Sequence, residues 1–364
     1  MDRLGGFGVG IAVGWNIAVI GPVATRLSHT YGVSLTVVLL FVTVQFVVHM
    51  LMQLPGGRAA DRIGARTSAL LGLGLIVAGN ALSLPAPHAW LGFLGRAVVG
   101  VGTGFAFVGG SDYVRARGGS QGLYGSGSVL APGISIAVIP TLTDHIGWRA
   151  PYLSAVVVGT VCAALLALAP ATEGAARHAG ERLEAEFFRD RRLYRFAAIH
   201  AMSFGFSVVI GNTVVTLLEH HGHSKSSAAV AGSLTLLLGF FTRIAGGPLL
   251  RRPDAPAWVF ASLVLGGAGA IVLALPLPYA LLVTAAVVVG LAAGLPFAMA
   301  FTGAASARPD APGAAVGFIN AWASLVIVAG TPLVGLTFSL PGDGRIGFVT
   351  IGVLAALAAL ATPR

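Results

Sequence analysis

The chain has 364 residues, of which 56% are hydrophobic and only 10% are charged, and its mean hydropathy is +0.87. Soluble domains carry about 25% charged residues, so this composition excludes a water-soluble enzyme, a nucleic-acid-binding domain and a disordered protein. A membrane-spanning helix needs about 20 apolar residues, and the length accommodates twelve of them with short loops. The sequence therefore predicts an all-α polytopic membrane protein.

Apolar runs, separated by charges or by proline and glycine clusters, divide the chain into twelve predicted spans. They cover residues 5–27, 35–56, 67–85, 89–112, 121–142, 149–169, 194–218, 226–248, 257–276, 279–303, 313–337 and 345–361. The first run has no convincing cleavage site and many spans follow it, so it is interpreted as a membrane helix rather than a signal peptide.

One long polar stretch lies between the sixth and seventh spans. It predicts an N-terminal six-helix bundle at residues 1–170, a cytoplasmic linker at 171–192 and a C-terminal six-helix bundle at 193–364. Leu183, Phe187 and Phe188 are compatible with a short helix on the membrane surface. A solvated linker is the favoured interpretation.

Basic residues are distributed unevenly between the two sides of the membrane. With the N-terminus inside, sixteen fall in cytoplasmic segments and four fall outside, namely Arg26, Arg149, Lys225 and Arg345. Cytoplasmic loops carry an excess of Lys and Arg, so both termini are predicted to be cytoplasmic, in the cell membrane. The formal charge of +9 is thus a signal of topology, and nucleic acid is excluded as a partner.

The two halves of the sequence resemble each other. When the sequence is aligned with itself so that Gly100 pairs with Gly290, eight pairs of glycines coincide, among them Gly104 with Gly294. Because an offset of six spans preserves orientation, the pattern predicts a parallel repeat of two six-helix bundles. Such repeats are typical of transporters, which bind substrate between the repeats near the bilayer midplane.

The segment that follows the second span, residues 57–66, reads G-R-A-A-D-R-I-G-A-R and favours a tight cytoplasmic turn. It resembles the loop signature G-x-x-x-D-R-x-G-R-[RK] of the major facilitator superfamily, in the same place between helices two and three. Ala65 departs from the pattern. The resemblance covers the whole chain and implies the fold of that family, with twelve transmembrane helices in two six-helix bundles that alternate in exposing a site.

The resemblance also implies a cytoplasmic gate. In that family the loop aspartate contacts the start of helix eleven, and loop arginines pair with an acidic residue that ends helix four. Here Asp61 would face the region near Gly313, and Arg62 or Arg66 would pair with Asp112. The predicted gate residues are Gly57, Asp61, Arg62, Gly64, Arg66 and Asp112.

Few polar side chains lie inside the predicted spans. All thirteen acidic residues lie at or beyond span ends, and two arginines and two histidines are the candidate titratable groups near the middle of the membrane. Such groups are costly there and usually functional, although interhelical hydrogen bonding or snorkelling is the alternative role for each. The predicted substrate-binding or coupling residues are Asn16, Gln45, His49, Arg96, His200, Asn212, Arg243 and Asn320.

A positive interior without a carboxylate favours a neutral or anionic solute, and His49 or His200 would be the proton-responsive group. Gln45, His49 and Gln53 recur on one face of the second span, where they would line a cavity. The segments 112–115 and 147–149 loosely resemble cyanate and nitrite/nitrate-type members of the family. The sequence therefore predicts a proton-coupled secondary active transporter of a small polar or anionic solute.

Three other functions remain open, and one of them is a facilitator-like sensor that binds a solute without transporting it. The fifth span resembles an antiporter pattern in which Ala131 and Ser135-Ile136 replace glycines, so efflux of hydrophobic drugs is the alternative transport function. An enzyme or metal site would need a cluster of reactive groups, and only the histidine-rich stretch 219–223 offers one. That stretch also reads as an ordinary loop. The expected protein is a monomer in the lipid bilayer, without cofactor or catalytic activity, that binds solute and protons.

Overall fold

A computed structural model describes residues 2–171 and 185–363, without the side chains of Asp2, Arg3 and Lys225. These described residues form helices and no strand. The chain divides into two compact units. Unit 1 comprises Met1–Glu184 and Arg308–Phe318, and unit 2 comprises Ala185–Ala307 and Ile319–Arg364.

Six apolar helices make up most of unit 1. They are α1 (Leu4–Tyr31), α2 (Leu35–Ile63), α3 (Ala65–Leu82), α4 (Ala89–Ala116), α5 (Gln121–Ile146) and α6 (Ala150–Ala167). Ser34 and Ser120 cap the N-termini of α2 and α5 by accepting a backbone N–H three residues on. Between α5 and α6 the chain turns at Gly147, whose φ is 74. A positive φ of this kind favours glycine because it lacks a Cβ.

Six further helices begin with α7 (Arg191–His220), α8 (Ser226–Leu249) and α9 (Ala255–Leu273), followed by α10 (Tyr279–Ala307), α11 (Pro312–Ser339) and α12 (Arg345–Ala361). The first turns of α11, as far as Phe318, belong to unit 1. A π-helical segment, Ala201–Gly205, interrupts α7.

In the described part of the chain, ten helical segments are long and apolar enough to cross a membrane. One of them, 121–167, contains both α5 and α6, and α12 is a shorter apolar helix. Together they account for the twelve helices that the sequence predicts, and the predicted fold class is confirmed.

The linker between the bundles differs in part from the prediction. Residues 172–184, including Leu183, lie outside the described residues. Ala185–Arg189 form a short helix in which Phe187 is fully buried, and Asp190 then caps α7 by accepting the backbone N–H of Arg192 at 2.9 Å. The solvated linker is therefore wrong for Phe187 alone, because the other four residues of this helix are exposed. The predicted boundaries of the three segments stay a prediction.

Glycines let helices in both units approach closely. A Cβ added at Gly100 on α4 would lie 2.8 Å from the carbonyl oxygen of Gln45 on α2. In unit 2, a Cβ at Gly294 on α10 would lie 2.5 Å from the carbonyl oxygen of Gly239 on α8. Gly100 and Gly294 belong to the superposed pairs of the repeat, so part of the repeated glycine pattern specifies the same close helix packing twice.

The same kind of contact joins α3 and α4, and it gives a test of the packing. A Cβ at Gly102 would lie 2.7 Å from both the carbonyl oxygen of Gly72 and the amide nitrogen of Ile76. Gly102→Leu should therefore overpack this contact at a cost of about 1–3 kcal/mol and lower the thermal unfolding temperature of the purified protein. Gly74→Leu is the matched control, because nothing lies within 4 Å of a Cβ at Gly74. Equal unfolding temperatures for the two variants would contradict the close contact.

Candidate functional site

A network of polar side chains surrounds Arg96 in the interior of unit 1. Arg96 lies on α4 and is 1% exposed. Its Nη2 donates to the backbone carbonyl of Asn16 at 2.8 Å and to Gln45 Oε1, and its Nη1 donates to Asn80 Oδ1 at 3.3 Å. Asn80 Nδ2 also donates to Asn16 Oδ1 at 2.9 Å. The guanidinium is thus held by groups from α1, α2 and α3.

The positive charge of Arg96 lacks an ionic partner. No carboxylate in the described part of the chain pairs with it, and its Nε has no hydrogen-bond partner. Amide and carbonyl oxygens satisfy hydrogen bonds but do not neutralise a charge, and a buried charge without a counterion is costly. The network therefore leaves a positive potential that an anion would neutralise.

The polar face of α2 is directed at α4. Gln45 reaches Arg96, and His49 Nδ1 lies 3.0 Å from Thr103 Oγ1 on α4. Gln53 Nε2 lies 2.6 Å from His49 Nε2, and all three α2 side chains are buried. Thr103 and Asn80 were not predicted. Thr103 lies seven residues after Arg96 and hence on the same face of α4, which was an available signal.

Unit 2 contains a second cluster, around His200 on α7. His200 Nε2 lies 2.8 Å from Asn320 Oδ1 on α11. Its ring packs against Phe204, Phe297 and Phe301, with centroid distances of 5.7, 5.5 and 4.8 Å. The other polar atoms of the pair, His200 Nδ1 and Asn320 Nδ2, are buried without a hydrogen-bond partner. Because such atoms are rare in folded proteins, they mark groups able to bind a ligand.

Arg243 shares two of the aromatic rings with His200. Its guanidinium carbon lies 4.6 Å from the ring centroid of Phe297 and 5.1 Å from that of Phe204. Arg243 is 2% exposed. These cation–π contacts therefore form in the interior of the unit. The aromatic rings were not predicted to belong to a site, although Phe297 coincides with Phe107 when the two halves of the sequence are superposed.

The predicted substrate or coupling residues thus fall into two clusters. Unit 1 brings together Asn16, Gln45, His49 and Arg96, and unit 2 brings together His200, Arg243 and Asn320. Asn212 is different, because its side chain is exposed and donates to the Thr331 hydroxyl at 3.5 Å.

Asp61 binds the first turn of α11, within unit 1. Its Oδ1 accepts the backbone N–H of Gly313 at 2.8 Å and its Oδ2 accepts that of Ala314 at 2.9 Å. First-turn N–H groups have no partner inside their own helix, and the helix dipole favours a negative charge there. A Cβ at Gly57 would collide with the Gly313 carbonyl, so the contact requires glycine at this position. Asp61 contacts the region of the chain that the family resemblance implies.

Other parts of the predicted gate need correction. The predicted turn does not begin at Gly57, because α2 continues to Ile63 and places Asp61 in its last turns. The turn is confined to Gly64, whose φ is 91. Arg62 is exposed at the end of α2.

The predicted pairing of Asp112 is wrong for Arg66. Arg66 donates through Nε to the carbonyl of Leu166 at 3.1 Å and through Nη2 to that of Ala167. It thereby binds carbonyls in the last turn of α6, where the Leu166 carbonyl also accepts the Ala169 N–H at 3.2 Å. Asp112 accepts from Arg115 at 2.7 Å. Residues three positions apart lie on the same face of a helix, which brings this pair together. A pairing of Asp112 with Arg62 stays a prediction.

The histidine-rich stretch after α7 makes separate contacts. His220 Nδ1 lies 3.7 Å from Asp343 Oδ1, and the His220 ring packs against Phe338. His223 packs against Tyr279. Burial lowers the pKa of His221 below its ordinary value. Within the described ranges, no group of three or more histidine, cysteine or acidic side chains has the geometry of a metal site.

The helices and clusters can be compared with known proteins. The sequence matches the family model of the Major Facilitator Superfamily over residues 6–331. The chain belongs to the major facilitator superfamily. It is accordingly an integral, multi-pass membrane transporter. No curated protein matches it significantly.

Solved structures agree with this fold. The proton:xylose symporter XylE, bound to 6-bromo-6-deoxy-D-glucose, is 15% identical, with a TM-score of 0.75 over 99% of this chain and 94% of its own. The E. coli fucose:proton symporter FucP is 14% identical, with a TM-score of 0.76 over 99% and 97%. The human organic anion transporter MFSD10 is 14% identical, with a TM-score of 0.74 over 100% and 99%. At these identities the likeness establishes the fold alone.

The contact of Asp61 with α11 can be tested by hydrogen exchange. Asp61→Asn replaces one carboxylate oxygen by an NH₂ group that cannot accept, and hydrogen bonds to a charged group contribute about 1.5–3 kcal/mol. The amides of Gly313 and Ala314 should exchange about tenfold faster or more in the variant. Asp144→Asn, which removes a carboxylate paired with Arg26 at 2.6 Å, is the control and should leave them unchanged. Unchanged protection in Asp61→Asn would show that the carboxylate does not hold α11.

Proposed function

We propose that this chain is a secondary active transporter that moves a small polar or anionic solute across the cell membrane by alternating access, coupled to protons. The observation that carries the proposal is the buried guanidinium of Arg96, which amide and carbonyl oxygens hold and no described carboxylate neutralises. In a low-dielectric interior such a charge attracts an anion strongly. A cationic substrate would be repelled by it.

The second cluster supports the same class of solute. Arg243 supplies another buried cation, and Asn320 Nδ2 is a donor without a partner. An anion with an apolar part would find hydrogen-bond donors beside the rings of Phe297 and Phe301. We therefore assign one polar cluster to each unit.

Proton coupling is proposed on the histidines. His49 and His200 are the buried titratable groups of the two clusters whose ordinary pKa lies near neutrality. Two structural neighbours are named as proton symporters and a third as an organic anion transporter, which supports both parts of the proposal. The resemblance of residues 112–115 and 147–149 to cyanate and nitrite/nitrate-type members favours small anions.

The proposed transporter also has a topology and a gate. Both termini would be cytoplasmic, since sixteen basic residues lie on that side of the predicted spans. The bundles 1–170 and 193–364 would be the moving parts, and the protein would act as a monomer. The bonds from Asp61 to Gly313 and Ala314 would close the cytoplasmic side in one state and break in the other.

Uptake into proteoliposomes tests the proposal. The protein is reconstituted, a pH gradient is imposed, and accumulation is measured for nitrate, cyanate, formate and acetate. Gradient-driven uptake of at least one anion is expected, and Arg96→Ala should abolish it because the compensating charge is lost. Arg26→Ala is the matched control and should retain uptake, because Arg26 lies in an exposed ion pair whose contribution is small.

The same vesicles separate this function from drug efflux. Proton-driven movement of a lipophilic cation such as ethidium, without uptake of any anion, would overturn the proposal and favour the antiporter alternative. Anion uptake that persists in Arg96→Ala would show that Arg96 has a packing role only.

A further inference from the structure

Both ring nitrogens of His49 are engaged by neighbouring side chains. The ring lies between α2 and α4 and is 7% exposed. Nδ1 faces Thr103 Oγ1 at 3.0 Å, and Nε2 faces Gln53 Nε2 at 2.6 Å. Two independent contacts therefore determine which nitrogen carries the proton.

The two contacts specify the same tautomer. When the Thr103 hydroxyl donates its one hydrogen to the Gly100 carbonyl at 3.1 Å, its oxygen accepts from His49 Nδ1. An amide NH₂ group can only donate, so the Gln53 amide requires a lone pair on the imidazole. With the Gln53 amide placed in this way, the matching form of His49 is the neutral one, with its proton on Nδ1 and its lone pair on Nε2.

Gln53 carries a hydrogen-bond acceptor for a second proton on the His49 ring, namely its amide oxygen Oε1. Its Oε1 is buried and has no hydrogen-bond partner. A proton added at His49 Nε2 would face the NH₂ group, which is a contact between two donors. Rotation of the amide by about 180° places Oε1 there instead, as an acceptor. The pair therefore has two hydrogen-bonding arrangements, which differ by rotation of this amide.

The surroundings make His49 the better site for the coupled proton than His200. The charged residues of α4 are Arg96, which binds Gln45 one turn before His49, and near the end of the helix Asp112 with Arg115. The buried residues of α3 are uncharged, as are those of α11 that contact α2. Asp61 lies twelve residues, or about 18 Å, beyond His49 along α2, so it does not share the proton of His49. His200, by contrast, lies on the same rings as Arg243, where a second positive charge is unfavourable.

Gln53 also connects the pair to α11. A Cβ at Gly317 would collide with the Gln53 backbone carbonyl, as a Cβ at Gly57 would with that of Gly313. Gln53, Gly57 and Asp61 are spaced by four residues, so one face of α2 carries both the rotating amide and the contact with α11. Rotation of the Gln53 amide therefore takes place next to the contact between Asp61 and α11.

We propose that His49 takes up the coupled proton at Nε2, that the Gln53 amide rotates in response, and that Thr103 and Gln53 are the positioning residues of this switch. The switch rests on the proposed proton-coupled transport and supplies its proton site. The proton comes from the aqueous phase, adds to the lone pair of Nε2 as the Gln53 NH₂ group turns away, and returns to water when the amide rotates back. No covalent bond other than N–H forms or breaks.

Nuclear magnetic resonance of ¹⁵N-histidine-labelled protein in lipid nanodiscs tests the switch without a substrate. The His49 signals are assigned by their absence in His49→Gln. At neutral pH the wild type should show the tautomer protonated at Nδ1, and acidification should protonate Nε2. Thr103→Val should populate both tautomers, because the Gln53 amide alone can match either one by rotating, whereas Thr143→Val should not, because the Thr143 hydroxyl donates to the Ile139 carbonyl.

Two variants of Gln53 should move the midpoint of this titration in opposite directions. Gln53→Met removes the acceptor for the added proton and should shift the midpoint by about one pH unit to the acid side. Gln53→Glu supplies a permanent acceptor and should shift it to the alkaline side by about one unit or more. Gln121→Met, which alters a buried glutamine bonded to Ser111, should shift it in neither direction.

Nitrate uptake then separates the two proposals. If nitrate uptake shows the same acid and alkaline shifts as the titration, the switch serves transport. A titration that behaves as expected without uptake of any anion would contradict the proposed function and leave the switch standing. A wild-type His49 protonated at Nε2, or shifts in the same direction in both Gln53 variants, would overturn the switch whatever the uptake shows.

Discussion

A guanidinium in the interior of a membrane helix bundle must find its hydrogen-bond acceptors within the protein, because the hydrocarbon core offers none. Arg96 finds them on three other helices, and this one side chain therefore constrains how α1 to α4 are rotated about their axes. The acceptors are amide and carbonyl oxygens. They accept the hydrogen bonds of the guanidinium but do not neutralise its positive charge. The proposed preference for anions follows from that uncompensated charge.

Close helix packing is what brings such short side chains within reach of one another. Gly100 lets α4 approach the backbone of α2 at Gln45, and Gly102 does the same for α3. The repeat preserves this packing in α8 and α10, but the polar residues differ between the halves. When the halves of the sequence are superposed, Gln53 coincides with Arg243, so the proton switch and the second buried cation occupy equivalent positions in the two units.

Much of the fold and part of the site could be predicted from the sequence. Twelve apolar runs and the repeated glycines specify the helices, and the spacing of Gln45, His49 and Gln53 specifies a face of α2. Asn80 could not be predicted, because a single amide in an apolar span forms no periodic pattern with other polar residues. The binding of Arg66 to the last carbonyls of α6, and the burial of Phe187 in a polar stretch, depend on tertiary contacts that no local pattern records.

Thermal unfolding of the purified protein with added solutes tests most directly the claim that the charge of Arg96 serves an anionic solute. A ligand that binds only the folded state stabilises it by about 2.7 kcal/mol at a hundredfold excess over Kd. We predict that at least one small anion raises the unfolding temperature of the wild type and not that of Arg96→Ala. Neutral and cationic solutes of similar size should have no such effect. Stabilisation by a cation, or an anion effect that persists without Arg96, would contradict the claim.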